Sequence, residues 1–255
     1  MKCFKGYIKK EFIEGIRTKK FLILAAGVLF FSLSDPVLLK LLPEILKNQM
    51  QGIDLSTLIE LSQKAAMESY TKNLFQISTL IIVLSLMGIM CNELKDKTLT
   101  IPVSMGCTIK GVISGKLVVY GLYLIIINVV GMIIAYCYSG MIFGFTHGSF
   151  LAAIISGFIY GIFFILVLSL LFLFSSFFKK SFAAAIATLV LTYFMSFLKF
   201  SQRVWDISPG KLLEEANYFR VFSSKEMLVP LIFTIFLIVL SNVIAVIKFK
   251  KVEFV

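Results

Sequence analysis

The chain is short of charge. Asp, Glu, Lys and Arg make up 15% of its 255 residues, against about a quarter in soluble domains, while 59% is hydrophobic. That balance excludes an ordinary soluble globular protein. From Leu117 to Phe178 there are 62 residues without one Asp, Glu, Lys or Arg, a run that would measure ~93 Å as helix. A bilayer core is ~30 Å thick, so the run must cross it and return. Histidine is nearly missing, His147 being the only one, and the four cysteines (Cys3, Cys91, Cys107, Cys137) include no CxxC pair. Neither a zinc site nor a disulfide framework is expected, and all four read as free thiols. No small-residue cleavage pattern follows the first apolar stretch before Asp35, so the chain is expected to be inserted, not secreted.

What is present fits a membrane. The net charge of +11 could suggest nucleic acid, but the basic residues sit in short gaps between apolar runs and not on a soluble face, so no nucleic-acid partner is expected. Apolar runs near the ~20 residues of a spanning helix occur at 73–92, 117–138, 151–174, 181–198 and 227–247, with a weaker one from Phe21 that Asp35 and Pro36 interrupt. The sequence therefore predicts an all-α integral membrane protein with six transmembrane helices. Counted in alternate gaps, Lys and Arg number sixteen on the side of both termini and nine on the other. The positive-inside rule then puts both termini in the cytoplasm.

Outside the spans, residues 4–17 place Phe4, Tyr7, Ile8, Phe12 and Ile16 on one half of a helix and Lys5, Lys9, Lys10 and Arg17 largely opposite, as in an amphipathic helix lying in the inner interface. Two stretches, 36–72 and 199–226, are expected outside. The first should hold a short amphipathic helix over 36–48, capped by Asp35, and a second over 55–70 that runs into span two. The other mixes Trp205 and Tyr218 with charges of both signs around Pro209-Gly210, which suits the outer membrane surface.

Between spans two and three the sequence reads NELKDKTLTIPVSMGCTIKGVISGKL, residues 92–117. This segment resembles the cytoplasmic loop of ABC-2 type permeases, the membrane subunits of type V ABC exporters. In that family a Glu ending span two is followed by Gly-Thr-Leu, a short helix, a Pro-x-x-Arg turn and a Gly-Lys opening span three. Glu93, Thr98, Leu99, Gly115 and Lys116 align without a gap; Lys97 stands where Gly is usual, Gly106 where Pro is usual, and the basic residue Lys110 comes one position late. The resemblance extends to the N-terminal helix, the six spans and the outer segment between spans five and six, covering nearly all of 1–255 as a single permease domain. It implies that residues 92–116 form a coupling loop docking on a separate ABC ATPase subunit, present in two copies, through Glu93, Thr98, Leu99, Met105, Ile109, Lys110, Val112 and Lys116. It also implies a second permease copy, as homodimer or pseudo-dimer. Solvated polar loop is the plainer alternative for the same residues.

An ATP site within the chain is not expected. The nearest approach to a P-loop, Gly111 to Leu117, has three residues between its glycines in place of four and lacks the Ser or Thr that would hold magnesium. ATP and magnesium are thus expected in the partner subunit, with no cofactor or metal here. The rival classes are a membrane-embedded enzyme and a stand-alone channel or sensor. Glu214 and Glu215 followed by Arg220 faintly suggest a CAAX-type protease, but the histidine ligands that such chemistry needs are missing, and the pair reads as a solvated face beside Lys211. Gly157 and Gly161, spaced as GxxxG, are read as close helix packing within the subunit, with a dimer contact less favoured. His147 is read as a turn residue before a pH sensor, and Asp35 as a cap before an intramembrane functional acid. Uncharged spans three and four and the 26 Phe suit a hydrophobic or amphipathic cargo such as a toxin peptide, an antimicrobial peptide or a drug, though lipid-facing positions favour Phe as well.

Overall fold

The computed structural model describes residues 2–47, 61–104, 106–178, 180–219 and 225–250. These fold as helices, with no strand among the described residues, and six helices are long and apolar enough to cross a membrane. The protein is an all-α, multi-pass membrane protein. Helix α1 (Lys2–Arg17) precedes the first span, α2 (Lys20–Lys47); α3 (Gln63–Lys95) is the second span; α4 (Thr100–Ser104) is a short loop helix; α5 (Ile109–Phe143) and α6 (Phe150–Phe178) are spans three and four. Span five is α7 (Ser181–Phe197), followed by two short helices, α8 (Gln202–Trp205) and α9 (Pro209–Asn217), and by the last span, α10 (Lys225–Lys250).

Apolar on all sides, α6 is the most buried span and forms the centre. Its largest contact is with α5. The reason is local: a Cβ on Gly157 would lie 2.7 Å from the Val129 Cα, and one on Gly161 2.7 Å from the Ile125 Cα, so both glycines let the two backbones meet. Spans α7 and α10 are the least buried and present Phe, Val and Ile outwards. We call the end of the bundle that carries α1 and α4 basal and the opposite end distal.

Several boundaries follow from local chemistry. The Thr108 hydroxyl accepts from the Gly111 N–H at 3.1 Å and starts α5, two turns before the apolar run begins. Gly144, at φ +86°, ends it. Ser62 caps α3 in the same way, and Ser208 with Pro209 behind it opens α9.

Two expectations are corrected. No break occurs at Asp35 and Pro36: α2 runs through both prolines as one helix, so no separate outer helix begins at 36 and Asp35 is not a cap. Instead the Asp35 carboxylate is 3% exposed and accepts from the Asn73 Nδ2, at 2.9 Å to each oxygen, so it is spent on holding α2 to α3. Of the second outer helix, expected over 55–70, residues 55–60 lie outside those described, and from Gln63 onwards the chain runs helically into span two as part of α3. Finally, Cys91 and Cys137 are free thiols but Cys107 is in a disulfide, which the spacing of the cysteines does not register.

Within α3, residues Leu74–Ser78 form a π turn, with the Thr79 N–H reaching the Leu74 carbonyl five residues back. The Ser78 hydroxyl donates to the Gly27 carbonyl of α2 at 2.7 Å. At the distal end buried Gln63 accepts from the N–H groups of Thr146 and His147, at 2.9 Å each, and fixes the turn between α5 and α6. The 199–226 segment is less superficial than expected: α9 packs on α6 and α10 with Leu212 and Ala216 buried.

Candidate functional site at the basal end

Tyr7, Glu11 and Gly15 are spaced four apart on α1 and form the stripe that faces the bundle, while Phe12, Ile13 and Ile16 face outwards. Tyr7 therefore leaves the outward apolar face on which its sequence position puts it. Gly115 makes the approach possible, since a Cβ there would lie 2.9 Å from the Tyr7 ring. The next residue of α5, Lys116, then lies under α1, and the last turns of α3 bring Glu93 beside it.

These residues form one charge network. Lys116, with no exposure, lies 2.8 Å from Glu11 and 3.0 Å from Glu93. Lys10 reaches Glu93 at 2.6 Å, Glu14 at 2.7 Å and Glu11 at 2.9 Å, and Lys20 lies 3.6 Å from Glu14. Both Lys10 and Lys116 also stand over the Tyr7 ring, at 5.3 and 5.6 Å from its centroid. The Tyr7 hydroxyl donates to Glu93 at 3.4 Å, a long bond. Three lysines thus balance three glutamates drawn from α1, α2, α3 and α5. Such a pairing adds little net stability over an apolar core, but removing one partner leaves a buried charge uncompensated.

The titration behaviour reflects this balance. Burial, then the negative charges of Glu93 and Glu11, pushes the Tyr7 phenol far above its ordinary value and keeps it a donor. Burial works against the Lys10 ammonium, but its bonds to Glu14, Glu93 and Glu11 outweigh that and raise it well above the usual lysine value. Burial raises the Glu14 carboxyl, yet Lys10, helped by Lys116 and Lys20, brings it below the ordinary range. Carboxylate oxygens of Glu11, Glu14 and Glu93 converge within 4.8 Å of one another, a spacing that metal ligands also adopt. Lys10 and Lys116 already supply the positive charge that such a cluster needs.

Beyond Glu93 the chain turns sharply. Lys97 sits at φ +53°, the left-handed region that favours glycine, at the position where the resembling family has Gly. Gly106, at φ +86°, makes a turn that proline could not, so the loop departs there from the family's Pro-x-x-Arg pattern. Leu99 is buried against Tyr7 and Val112, with Leu94 beside them. Ile109 packs on the main core, and Lys110 and Thr98 are exposed.

The eight residues expected to dock on a partner therefore divide. Thr98 and Lys110 are exposed, while Glu93, Leu99, Val112 and Lys116 are engaged inside the chain, which removes their side chains from a docking surface. Ile109 is half-buried, and Met105 lies outside the described residues. The apolar side chain that the loop does present is Ile101 of α4, 64% exposed. Reading the loop alone missed it because burial of Leu99 is decided by Tyr7, ninety-odd positions away in sequence. Tyr7, Lys10, Glu11 and Glu14 were likewise missed; the available signal was a pair of glutamates on an otherwise basic helix facing a lone Lys at the lip of an uncharged run.

The remaining sequence-level suggestions also resolve. The lysine of the near-P-loop is Lys116, locked between Glu11 and Glu93 and unavailable to a phosphate. At the distal end Glu214 accepts from the Trp205 indole at 2.7 Å and Glu215 lies 3.0 Å from Lys211; Arg220 lies outside the described residues. His147 packs edge-on to Phe219, and its imidazole is held below its ordinary value, first by burial and then by Lys64. No family model matches the chain, and no curated protein matches it.

Proposed function

We propose that this chain is the transmembrane subunit of an ATP-driven exporter of the ABC-2 permease type, in a bacterial cytoplasmic membrane with both termini inside. Its cargo is hydrophobic or amphipathic: a peptide toxin, an antimicrobial peptide or a drug. Two copies, or one copy with a similar permease, combine with two ATPase subunits that bind ATP and magnesium.

One observation carries this reading. The two ends of the 92–116 loop are tied to each other by the 3.0 Å contact of Lys116 with Glu93, and both are bolted to α1 through Lys10 and Glu11. A loop fastened in this way moves only together with spans two and three. With Ile101 standing out from α4 as an apolar knob, it suits a partner's groove and passes a push to the membrane helices. A solvated loop has no need of such a frame.

The test is co-expression with an ATPase encoded beside it. The tagged chain should retain the ATPase through purification, and Ile101→Asp should abolish retention and cargo-stimulated ATP hydrolysis while membrane levels stay normal. Purification with its genomic neighbours as a stable monomer lacking any ATPase would overturn the reading.

A further inference from the structure

A second site lies in the distal half, away from the charge network. A cavity of about 370 Å³ opens between the π turn of α3, the middle of α6, the end of span five and the distal helices α8 and α9. That volume lies within the range of small-molecule sites. Its walls include Phe75 from the π turn, Tyr160 from α6 and Trp205 from α8. All three are flat aromatic surfaces suited to a hydrocarbon or aryl group.

The charge on the rim is unequal. Lys72, which lines the cavity, forms no ion pair among the described residues; Glu68, one turn before it, lies 3.9 Å from Lys64 instead. Lys199 stands 4.9 Å over the Trp205 ring and 3.6 Å from Glu214. Glu214 is already committed, accepting from the Trp205 indole at 2.7 Å and lying 3.7 Å from Lys211. Lys199 thus takes the remaining Glu214 oxygen, Oε1, and Lys211 lies 3.0 Å from Glu215, so three lysines around the cavity face two carboxylates and the positive charge of Lys72 is left over. The depth agrees: α3, at 33 residues, is ~50 Å long and overshoots a ~30 Å core by ~10 Å at each end, which puts Lys72 near the boundary of headgroups and hydrocarbon.

We propose that this cavity binds an amphipathic anion, its carboxylate or phosphate held by Lys72 and Lys199 and its apolar part between Phe75, Tyr160 and Trp205. The site goes beyond the exporter reading and does not depend on it. A free organic acid and a phospholipid headgroup share the chemistry that the site recognises.

Trp205 is the only tryptophan in the chain, so its emission reports on this cavity alone. The purified full chain, in phosphatidylcholine nanodiscs held by a tryptophan-free scaffold, is titrated with 4-(4-bromophenyl)butanoate and separately with its neutral amide, bromine being a contact quencher. The acid should quench saturably at a concentration at least tenfold below the amide, and Lys72→Gln should remove that advantage while Lys180→Gln at the basal end keeps it. A second arm compares nanodiscs containing dibrominated phosphatidylglycerol with the same fraction of dibrominated phosphatidylcholine. Excess quenching by the glycerol lipid identifies a bilayer phospholipid as the source, and preference for the acid alone identifies a free organic acid. Equal quenching by acid and amide together with equal quenching by the two lipids overturns the proposal. So does an undiminished preference in a Lys72→Gln chain with wild-type circular dichroism. The acid-to-amide and lipid comparisons on the unmutated chain together decide even if that variant does not fold.

Discussion

The Lys116 ammonium and the Glu11 carboxylate, 105 positions apart in sequence, meet at 2.8 Å with neither side chain exposed. They fasten an amphipathic helix that a membrane surface alone could hold only loosely. Replacing Lys116 by Met should leave Glu11 buried without its nearest counter-charge and cost about 3–5 kcal/mol. Thermal unfolding in detergent should show a clear fall in Tm, and Glu11→Gln/Lys116→Met should recover part of it. An unchanged Tm for the single variant would mean that the network does not hold α1.

The pH dependence follows from the signs. Glu14 is held below the usual carboxylate range, so its contribution is full above ~4.3, the ordinary Glu value, and is lost as pH falls through its lower folded value. Lys10 is raised, so its share is full below the ordinary lysine value and is lost only as pH climbs through a strongly alkaline folded one. Stability of the basal end should thus be flat through neutral pH and drop in acid. Melting curves between pH 3 and 8 should show this, and Glu14→Gln should flatten the acid limb.

Leu99 and Ile101 should behave oppositely although they are two residues apart. Leu99→Ala removes a side chain buried against Tyr7 and Val112 and should cost about 2–5 kcal/mol. Ile101→Ala should leave Tm within error, its side chain being 64% exposed. Equal effects in the melting assay would contradict this burial pattern.

Glycines provide a third contrast. Gly157→Val would push against the α5 backbone and should destabilise by at least about 1–3 kcal/mol. Nothing lies within 4 Å of a Cβ on Gly6 of α1, so Gly6→Ala should raise helix stability by about 0.5–1 kcal/mol. A Gly157→Val chain as stable as the parent would show that the two spans are not in backbone contact.

Orientation is checked with single cysteines in a chain lacking its native thiols. An impermeant maleimide added to intact cells should label Cys at Asp206 and miss Cys at Lys95, both exposed positions at opposite ends of the bundle. The reverse pattern would invert the proposed topology.

The spans were legible because bilayer thickness imposes a length and a composition that few other structures need, and the run from Leu117 to Phe178 admits no other reading. Pro36 misled because its missing N–H argues for a break; the pairing of Asp35 with Asn73, formed across helices, is invisible locally. The basal site was half legible. Glu93 and Lys116 stand out at the edges of apolar runs, but their partners lie 83 and 105 positions away, and a helical wheel of α1 assigns its lysines to water without asking what faces its two glutamates.

The π turn at Leu74–Ser78 acts as a phase shift. One residue more than an α-helix requires turns everything beyond it by ~100°. Asn73 before the turn faces Asp35, while Glu93 beyond it faces Lys116; without the extra residue α3 could not present both. Chain length inside this span is therefore as fixed as a gear ratio. Deleting one residue between 74 and 78 would leave the polar groups on either side of the turn in place chemically and yet uncouple one end of the helix from its partners.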